Sequence, residues 1–340
     1  MAANRGTASR SLTSRLPIGR VRSGRLIGRR SSIREANVDL STTVGSVSLP
    51  SPIMTAAGTA GHGAELGAYN DLSKLGAVVV KSLGHFACEG NDPIRVHQTP
   101  AGMINSVGLQ GPGVSAWLDD ELPELQRSGA RVVVSIWGRT VDDYALAAKA
   151  LADAPDDIVA VEVNISCPNT EAGNAMFAHS PAMTTEVLSV TEACGKPRWA
   201  KLSPNIGPGL AEIANAASAG GAEAVTLVNT YFGLSIDPVT GRARLGGGGG
   251  GVSGPAIHPL AVRAVADVRA GCPDLPIIGV GGVSTVEDVV EFARAGANAV
   301  QIGTASFAEP RTVGRLGTDL VRWCANQGVE RYVDLVGTLH

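Results

Sequence analysis

Eight short apolar runs separated by longer amphipathic stretches constrain the fold of this chain more than any other feature. The runs cover residues 53–57, 77–82, 132–137, 160–167, 199–203, 224–230, 276–282 and 299–305. Runs this short and this continuously apolar suit strands buried on both faces, which occur in parallel sheets joined by helical crossovers. Between them, residues 141–151, 183–193, 209–219, 259–270 and 286–295 carry apolar side chains at helical spacing. Eight such units without a long linker predict an α/β fold, the (β/α)8 TIM barrel, with functional groups at the C-terminal strand ends.

Composition agrees with one large barrel over residues 37–340. Hydrophobic residues make up 44% of the 340, ample for a large core, while aromatics are only 4% and glycines number 43. Ala, Val and Gly fill parallel strands and their tight turns. No apolar run approaches the roughly 18 residues of a membrane span, so the chain reads as soluble. The five cysteines (Cys88, Cys167, Cys194, Cys272, Cys324) form no CxxC pair, and the six histidines show no HxxxH spacing. This argues against a disulfide framework, a metal centre or an iron–sulfur site, and it fits a reducing cytoplasm.

Charge is unevenly spread. Residues 1–34 hold nine arginines and no acidic residue, so the remainder carries −12 against a total of −3. A body that acidic is a poor nucleic-acid binder. The arm, residues 1–36, lacks a long apolar face and reads as a disordered extension; a transit-like or membrane-surface peptide is the alternative.

The predicted strand exits carry the chemistry. In order they read TAAG (55–58), KS (81–82), SIWG (135–138), NISCPN (164–169), KLS (201–203), NT (229–230), GGV (281–283) and GT (303–304). Lysines Lys81 and Lys201 end apolar strands, where an ammonium without a counter-anion is costly, so an anionic ligand is their expected partner; snorkelling surface lysines are the plainer alternative. Asn105, Asn164, Asn169 and Asn229 offer donor and acceptor together, as the edge of a pyrimidine or flavin ring requires. Glycines in GVGGV (279–283) and QIGTA (301–305) would let backbone N–H groups approach a phosphate, although tight turns need them equally. The six glycines at 246–251 read as a flexible loop. Cys167, a thiol near cations, can be partly thiolate and accept a proton from carbon; a buried inert cysteine is the bland reading.

The stretches NISCPNT, KLSPNIG, TPAGMINSVGLQGPG (99–113), VNTYFG (228–233), GVSGPAI (252–257), IIGVGGV (277–283) and IGTASF (302–307) together resemble dihydroorotate dehydrogenase, over about residues 37–312. Cysteine within NISCPN resembles class 1, and the GLQ-PG and VNT patterns resemble the subclass 1B catalytic subunit. The resemblance implies FMN-dependent oxidation of dihydroorotate to orotate in pyrimidine biosynthesis. Ala56, Ala57 and Gly58 would line the flavin, with Lys81, Ser82, Ser135 and Asn164 beside it. Lys201 would offset charge developing on the reduced ring, and Gly254, Gly281, Gly282, Gly303 and Thr304 would hold the phosphate. Asn105, Asn164, Asn169, Asn229 and Thr230 would bind the pyrimidine, with the backbone of Gly108 and Leu109 at its carboxylate. Cys167 would take the C5 proton while hydride leaves C6 for flavin N5.

Implied partners are an electron-transfer subunit carrying FAD and an iron–sulfur cluster, in a homodimer or heterotetramer. The chain departs from subclass 1B at Gly111, where Asn is usual, in its six-glycine run, and in the second half of the lid-like loop 171–182. Competing readings are a related FMN barrel acting on another dihydropyrimidine, a dihydrouridine synthase, and a catalytically silent phosphate-binding subunit. The acidic body argues against the second of these, and retention of Lys81 and Cys167 against the third.

Overall fold

The computed structural model describes residues 38–166, 176–206 and 209–340. Residues 36–340 form one compact unit, and the Arg-rich arm lies outside the described residues. Along the chain run β1 (Thr42–Val44), β2 (Val47–Leu49), β3 (Ile53–Thr55), β4 (Val78–Val79), β5 (Val96–Thr99), β6 (Gly102–Asn105), β7 (Val132–Ile136), β8 (Ile158–Asn164), β9 (Arg198–Lys201), β10 (Ala224–Leu227), β11 (Tyr231–Gly233), β12 (Gly250–Ser253), β13 (Ile277–Val280) and β14 (Ala299–Ile302).

Eight of these make one parallel sheet in the order β3-β14-β13-β10-β9-β8-β7-β4. Each of the eight predicted runs holds one of them. The first and last strands also meet. Gly76 N–H donates to Ile53 O at 2.8 Å, Thr55 N–H to Ala77 O at 3.3 Å, and the Thr55 hydroxyl accepts from Val79 N–H at 2.7 Å. The sheet thus closes into the (β/α)8 barrel. Helices Val141–Lys149, Pro181–Val190, Leu210–Ala219, His258–Gly271 and Val286–Ala295 occupy the predicted amphipathic stretches. Two start at capping boxes written into the sequence as T-V-D-D and T-V-E-D: Thr140 with Asp143 and Thr285 with Asp288 exchange side-chain and backbone hydrogen bonds. Each cap contributes about 1 kcal/mol and fixes where the chain turns from strand exit into helix.

Side-chain alternation divides the strands between two cores. Outward residues pack under the helices, whereas Met54, Val79, Val133, Ala160, Trp199, Ala224, Ile278 and Ala299 form a separate buried cluster with Val44, Val47 and Leu49 of the β1–β2 hairpin. That hairpin precedes the first apolar run at residues 53–57. It was missed because its strands are three residues long with one exposed position each.

A second departure concerns the glycine run. Residues 250–253 form β12, which pairs with β11 and with β6, and β6 pairs with β5, giving a four-stranded antiparallel sheet. Glycine suits this place because a Cβ at Gly251 would lie 2.0 Å from Thr230 Oγ1 and one at Gly250 2.3 Å from Asn105 O. Close backbone approach, rather than flexibility, accounts for the composition.

The barrel seam gives a direct test. Thr55 is fully buried and its hydroxyl serves Val79 N–H. Thr55→Val keeps the shape and leaves that N–H unpaired, so stability measured by urea unfolding should fall by about 1–3 kcal/mol.

Candidate active site

Three residues on β8 point to the barrel axis: Ala160 in the apolar plug, Glu162 above it, and Asn164 at the exit. Glu162 is fully buried and Lys201 is 6% exposed. Lys201 Nζ lies 3.3 Å from Glu162 Oε1 and donates to Gln301 Oε1 at 3.1 Å. Gln301 Nε2 donates to Glu162 Oε2 at 2.6 Å, and the Thr226 hydroxyl donates to the same oxygen at 3.0 Å. Four strands therefore contribute one closed polar network in the barrel interior. The counter-charge of Lys201 is a residue of the chain itself, not the ligand its position suggested. Glu162 was legible: a carboxylate inside VAVEVN, two residues before Asn164, must face inward with it, and buried there it needs a cation.

Above this ring the exits open into a cavity of about 650 Å³. Its wall includes Ala56, Ala57 and Gly58 after β3, Lys81 and Ser82 after β4, Asn164 and Ser166 after β8, and Lys201 of β9. Asn229 and Thr230 after β10, Gly281 and Gly282 after β13, and Gly303 and Thr304 after β14 complete the ring. Asn105 at the end of β6 and the Gly108–Leu109 loop join it from outside the barrel. Most sequence-predicted site residues thus share one wall. Ser135 and Gly254 do not line it. Ser135 is fully buried and reaches the wall through Ser82, hydroxyl to hydroxyl at 2.8 Å. Gly254 packs on Gly102, where a Cβ would come 2.6 Å from Cα. Cys167, Asn169 and residues 171–175 of the lid-like loop lie outside the described residues.

The amides are held in fixed orientations. Asn164 Oδ1 accepts from Ser166 N–H and from Asn229 Nδ2, both at 3.2 Å, and Asn229 Oδ1 accepts from Thr230 N–H at 2.8 Å. Asn205, which the sequence reading passed over, donates to Ser203 Oγ at 3.1 Å and Thr230 O at 3.0 Å, and receives Phe232 N–H. Ser166 Oγ, also unpredicted, is buried at the wall without a partner among the described residues.

Leu109 adopts φ +59° beside Gly108 at +75°. A left-handed leucine costs on the order of 1–3 kcal/mol and persists only where the surroundings dictate it. Here Cys88 and Gly111 exchange two backbone bonds, at 2.8 and 2.9 Å, and Asn91 N–H reaches Val107 O at 3.0 Å. Gly111 also faces His62, since a Cβ there would meet Nε2 at 3.2 Å. Burial, then the nearby Lys81 ammonium, pulls the His62 imidazole below its ordinary range, despite Glu65. A neutral ring therefore stands behind the Lys81 part of the wall.

The chain matches the sequence profile of the family described as dihydroorotate dehydrogenase over residues 39–323. It is 45% identical over 304 residues to the dihydroorotate dehydrogenase B (NAD(+)) catalytic subunit of Desulforudis audaxviator, covering 89% of this chain and 98% of that one. A protein of the same name from Alkaliphilus metalliredigens is 45% identical over 81% of this chain and 90% of its own. One from Solibacter usitatus, named provisionally as dihydroorotate dehydrogenase A (fumarate), is 41% identical over 88% and 98%.

The buried pair yields a prediction. Glu162→Gln leaves the Lys201 ammonium buried without a counter-charge, and removing one member of such a pair costs about 3–5 kcal/mol. Urea unfolding should show a loss of that order, and Glu162→Gln combined with Lys201→Met should lose less than the two single variants summed.

Proposed function

We propose, since this chain belongs to the dihydroorotate dehydrogenase family of oxidoreductases, that it oxidises dihydroorotate to orotate in the cytoplasm with FMN as its cofactor and Cys167 as the base. One observation carries the reading. A single cavity gathers Lys81, Lys201, Asn105, Asn164 and Asn229 with the glycines of the β13 and β14 exits.

The residues present fit such a group. A cavity of about 650 Å³ lies in the range of cofactor pockets, roughly 300–1,000 Å³. A Cβ at Gly58 would meet nothing within 4 Å, and one at Gly303 only Ala56 Cβ at 3.4 Å and Thr59 Cγ2 at 3.7 Å. Space therefore stands in front of both glycines. Ala56, Ala57, Gly58, Lys81, Ser82, Asn164 and Lys201 would hold the ring system, with Ser135 supporting Ser82. Gly281, Gly282, Gly303 and Thr304 would hold the phosphate, with Gly254 backing Gly282. FMN supplies, when bound, a two-electron acceptor for hydride from C6 of the substrate.

The chain's own residues do the rest. Asn105, Asn164, Asn169, Asn229 and Thr230 orient the pyrimidine, whose ring pairs C=O and N–H groups as amides do. Backbone groups of Gly108 and Leu109 receive the carboxylate. Cys167, next in sequence to the wall residue Ser166, removes the C5 proton. The ammonium groups of Lys81 and Lys201 on the same wall favour its thiolate. Lys201 can also oppose negative charge developing above it, because Glu162 and Gln301 hold it in place and no reorganisation is needed.

Relatives named as NAD(+) catalytic subunits favour an electron-transfer partner that delivers to NAD; FAD and an iron–sulfur cluster on that partner are what the family resemblance implies. The fumarate-type relative makes fumarate the second reading. Supplying NAD⁺, fumarate and a quinone in turn to the substrate-reduced protein separates them.

Two measurements test the chemistry and the placement. Cys167→Ala should bind FMN and orotate yet reduce its flavin about 10²–10⁴-fold more slowly in single turnover, the usual loss for a positioned base. Cys167→Ser should keep part of the rate, shifted to higher pH. A wild-type rate and pH profile in Cys167→Ala would place the base elsewhere. Gly303→Val, whose side chain enters open space instead of backbone, should lower FMN affinity by more than about tenfold; unchanged affinity would move the phosphate.

A further inference from the structure

Behind the cavity wall, one buried titratable side chain is gripped by groups of a single kind. His258 opens helix His258–Gly271 and is 9% exposed. Its Nδ1 lies 2.9 Å from the Gly281 carbonyl oxygen, and its Nε2 lies 3.2 Å from Glu291 Oε2 and 3.6 Å from Asp288 Oδ1. The Phe292 ring meets it edge-on, with centroids 5.2 Å apart. Asp288 and Glu291, both on helix Val286–Ala295, are the charged groups that face it. Arg315, from helix Thr312–Gln327, engages Asp319 and Ser284 O instead. Burial raises the Asp288 carboxyl, but N–H bonds from Ser284 and Thr285, with His258 nearby, outweigh it and hold the group below the ordinary carboxylate range.

Peptide carbonyl and carboxylate oxygens only accept hydrogen bonds. A neutral imidazole has one N–H and would turn its bare nitrogen toward one of these oxygens, whereas the imidazolium satisfies both sides. The carbonyl that His258 engages belongs to the trans peptide joining Gly281 and Gly282. In a trans peptide the N–H points opposite to the C=O, so Gly282 N–H is directed away from the imidazole. Both glycines line the cavity. Gly282 has φ +72°, and a Cβ there would meet Gly254 O at 2.7 Å and His258 Cβ at 2.8 Å. The turn is therefore seated against His258 by packing as well as by its hydrogen bond. A cationic donor on the carbonyl also polarises the peptide and strengthens the opposite N–H.

We propose that His258 is a positioning residue for anion binding in this cavity. It aims Gly282 N–H at the cofactor phosphate through its bond to the Gly281 carbonyl and stands between that phosphate and the Asp288 and Glu291 carboxylates. The inference rests on the placement of FMN given above. Removing the ring takes the donor from the Gly281 carbonyl and leaves two carboxylates behind the phosphate turn, so affinity for FMN falls. Riboflavin, which has the ring system and no phosphate, does not respond.

Deflavinated protein titrated with FMN and with riboflavin, followed by flavin fluorescence, tests this. His258→Leu should lose roughly tenfold or more in FMN affinity relative to wild type while its riboflavin affinity stays the same. His258→Asn, which keeps an N–H for Gly281, should recover part of that loss. Equal FMN affinity in wild type and His258→Leu, or riboflavin affinity falling in step with FMN, would overturn the proposal. If Gly303→Val strips FMN while His258→Leu binds it as wild type does, only the role of His258 falls. If Gly303→Val retains FMN, the phosphate placement falls and this inference with it.

Discussion

The ion pair between Glu162 and Lys201 is the constraint on which the rest of the site depends. Two charges inside a barrel lose most of their hydration, and their mutual attraction offsets that loss only with good geometry and every remaining lone pair met. Gln301 and Thr226 donate from two further strands to Glu162 Oε2, Oε1 is left to the Lys201 ammonium, and Gln301 bridges both members of the pair. The apolar plug of Trp199, Met54, Ile278 and the β1–β2 hairpin lies in a separate buried cluster of the barrel interior. A dry floor strengthens the network that it would otherwise destabilise, because a low dielectric raises both the attraction of a satisfied pair and the penalty of a broken one.

From that ring outward, alternation along the strands carries the arrangement to the mouth. Asn164 lies two residues beyond Glu162 and shares its face, and its β-partner in register is Lys201. Asn164 and Lys201, both proposed to contact the ring systems, are thus anchored to paired strands. The mouth is narrowed by the antiparallel sheet of β5, β6, β11 and β12, which brings Asn105 and the Gly108–Leu109 loop to the wall. The left-handed Leu109 shows the price of that placement, held by paired backbone bonds between Cys88 and Gly111.

The glycine-rich exits of β13 and β14 work differently. They contribute backbone in place of side chains, and their geometry is set from behind. His258 anchors the Gly281 carbonyl, Gly254 O lies where a Cβ on Gly282 would go, and the Thr304 hydroxyl donates to Ser253 Oγ at 2.7 Å. One wall therefore combines fixed amides and ammonium groups with a backbone turn held from behind by a buried ring. The roles proposed in substrate orientation and in anion binding fall on separate parts of that wall.

How much of this was legible follows from the range of each interaction. Strand and helix periods are local, so the eight units and their exits, from Ala56 to Thr304, could be read directly along the chain. Parity could also have exposed Glu162, since a carboxylate in a strand buried on both faces has nowhere to go but inward. Its partner could not be read the same way. Whether Lys201 meets a ligand or Glu162 depends on the register between β8 and β9 and on how the barrel curves Gln301 toward both. Pairing β12 with β6 joins residues almost 150 positions apart in the sequence, and nothing in a glycine run specifies such a neighbour. The sequence by itself determined which groups stand at the strand ends; the tertiary structure decided what each one faces, because charge, hydrogen bonding and close approach act between strands and not along them.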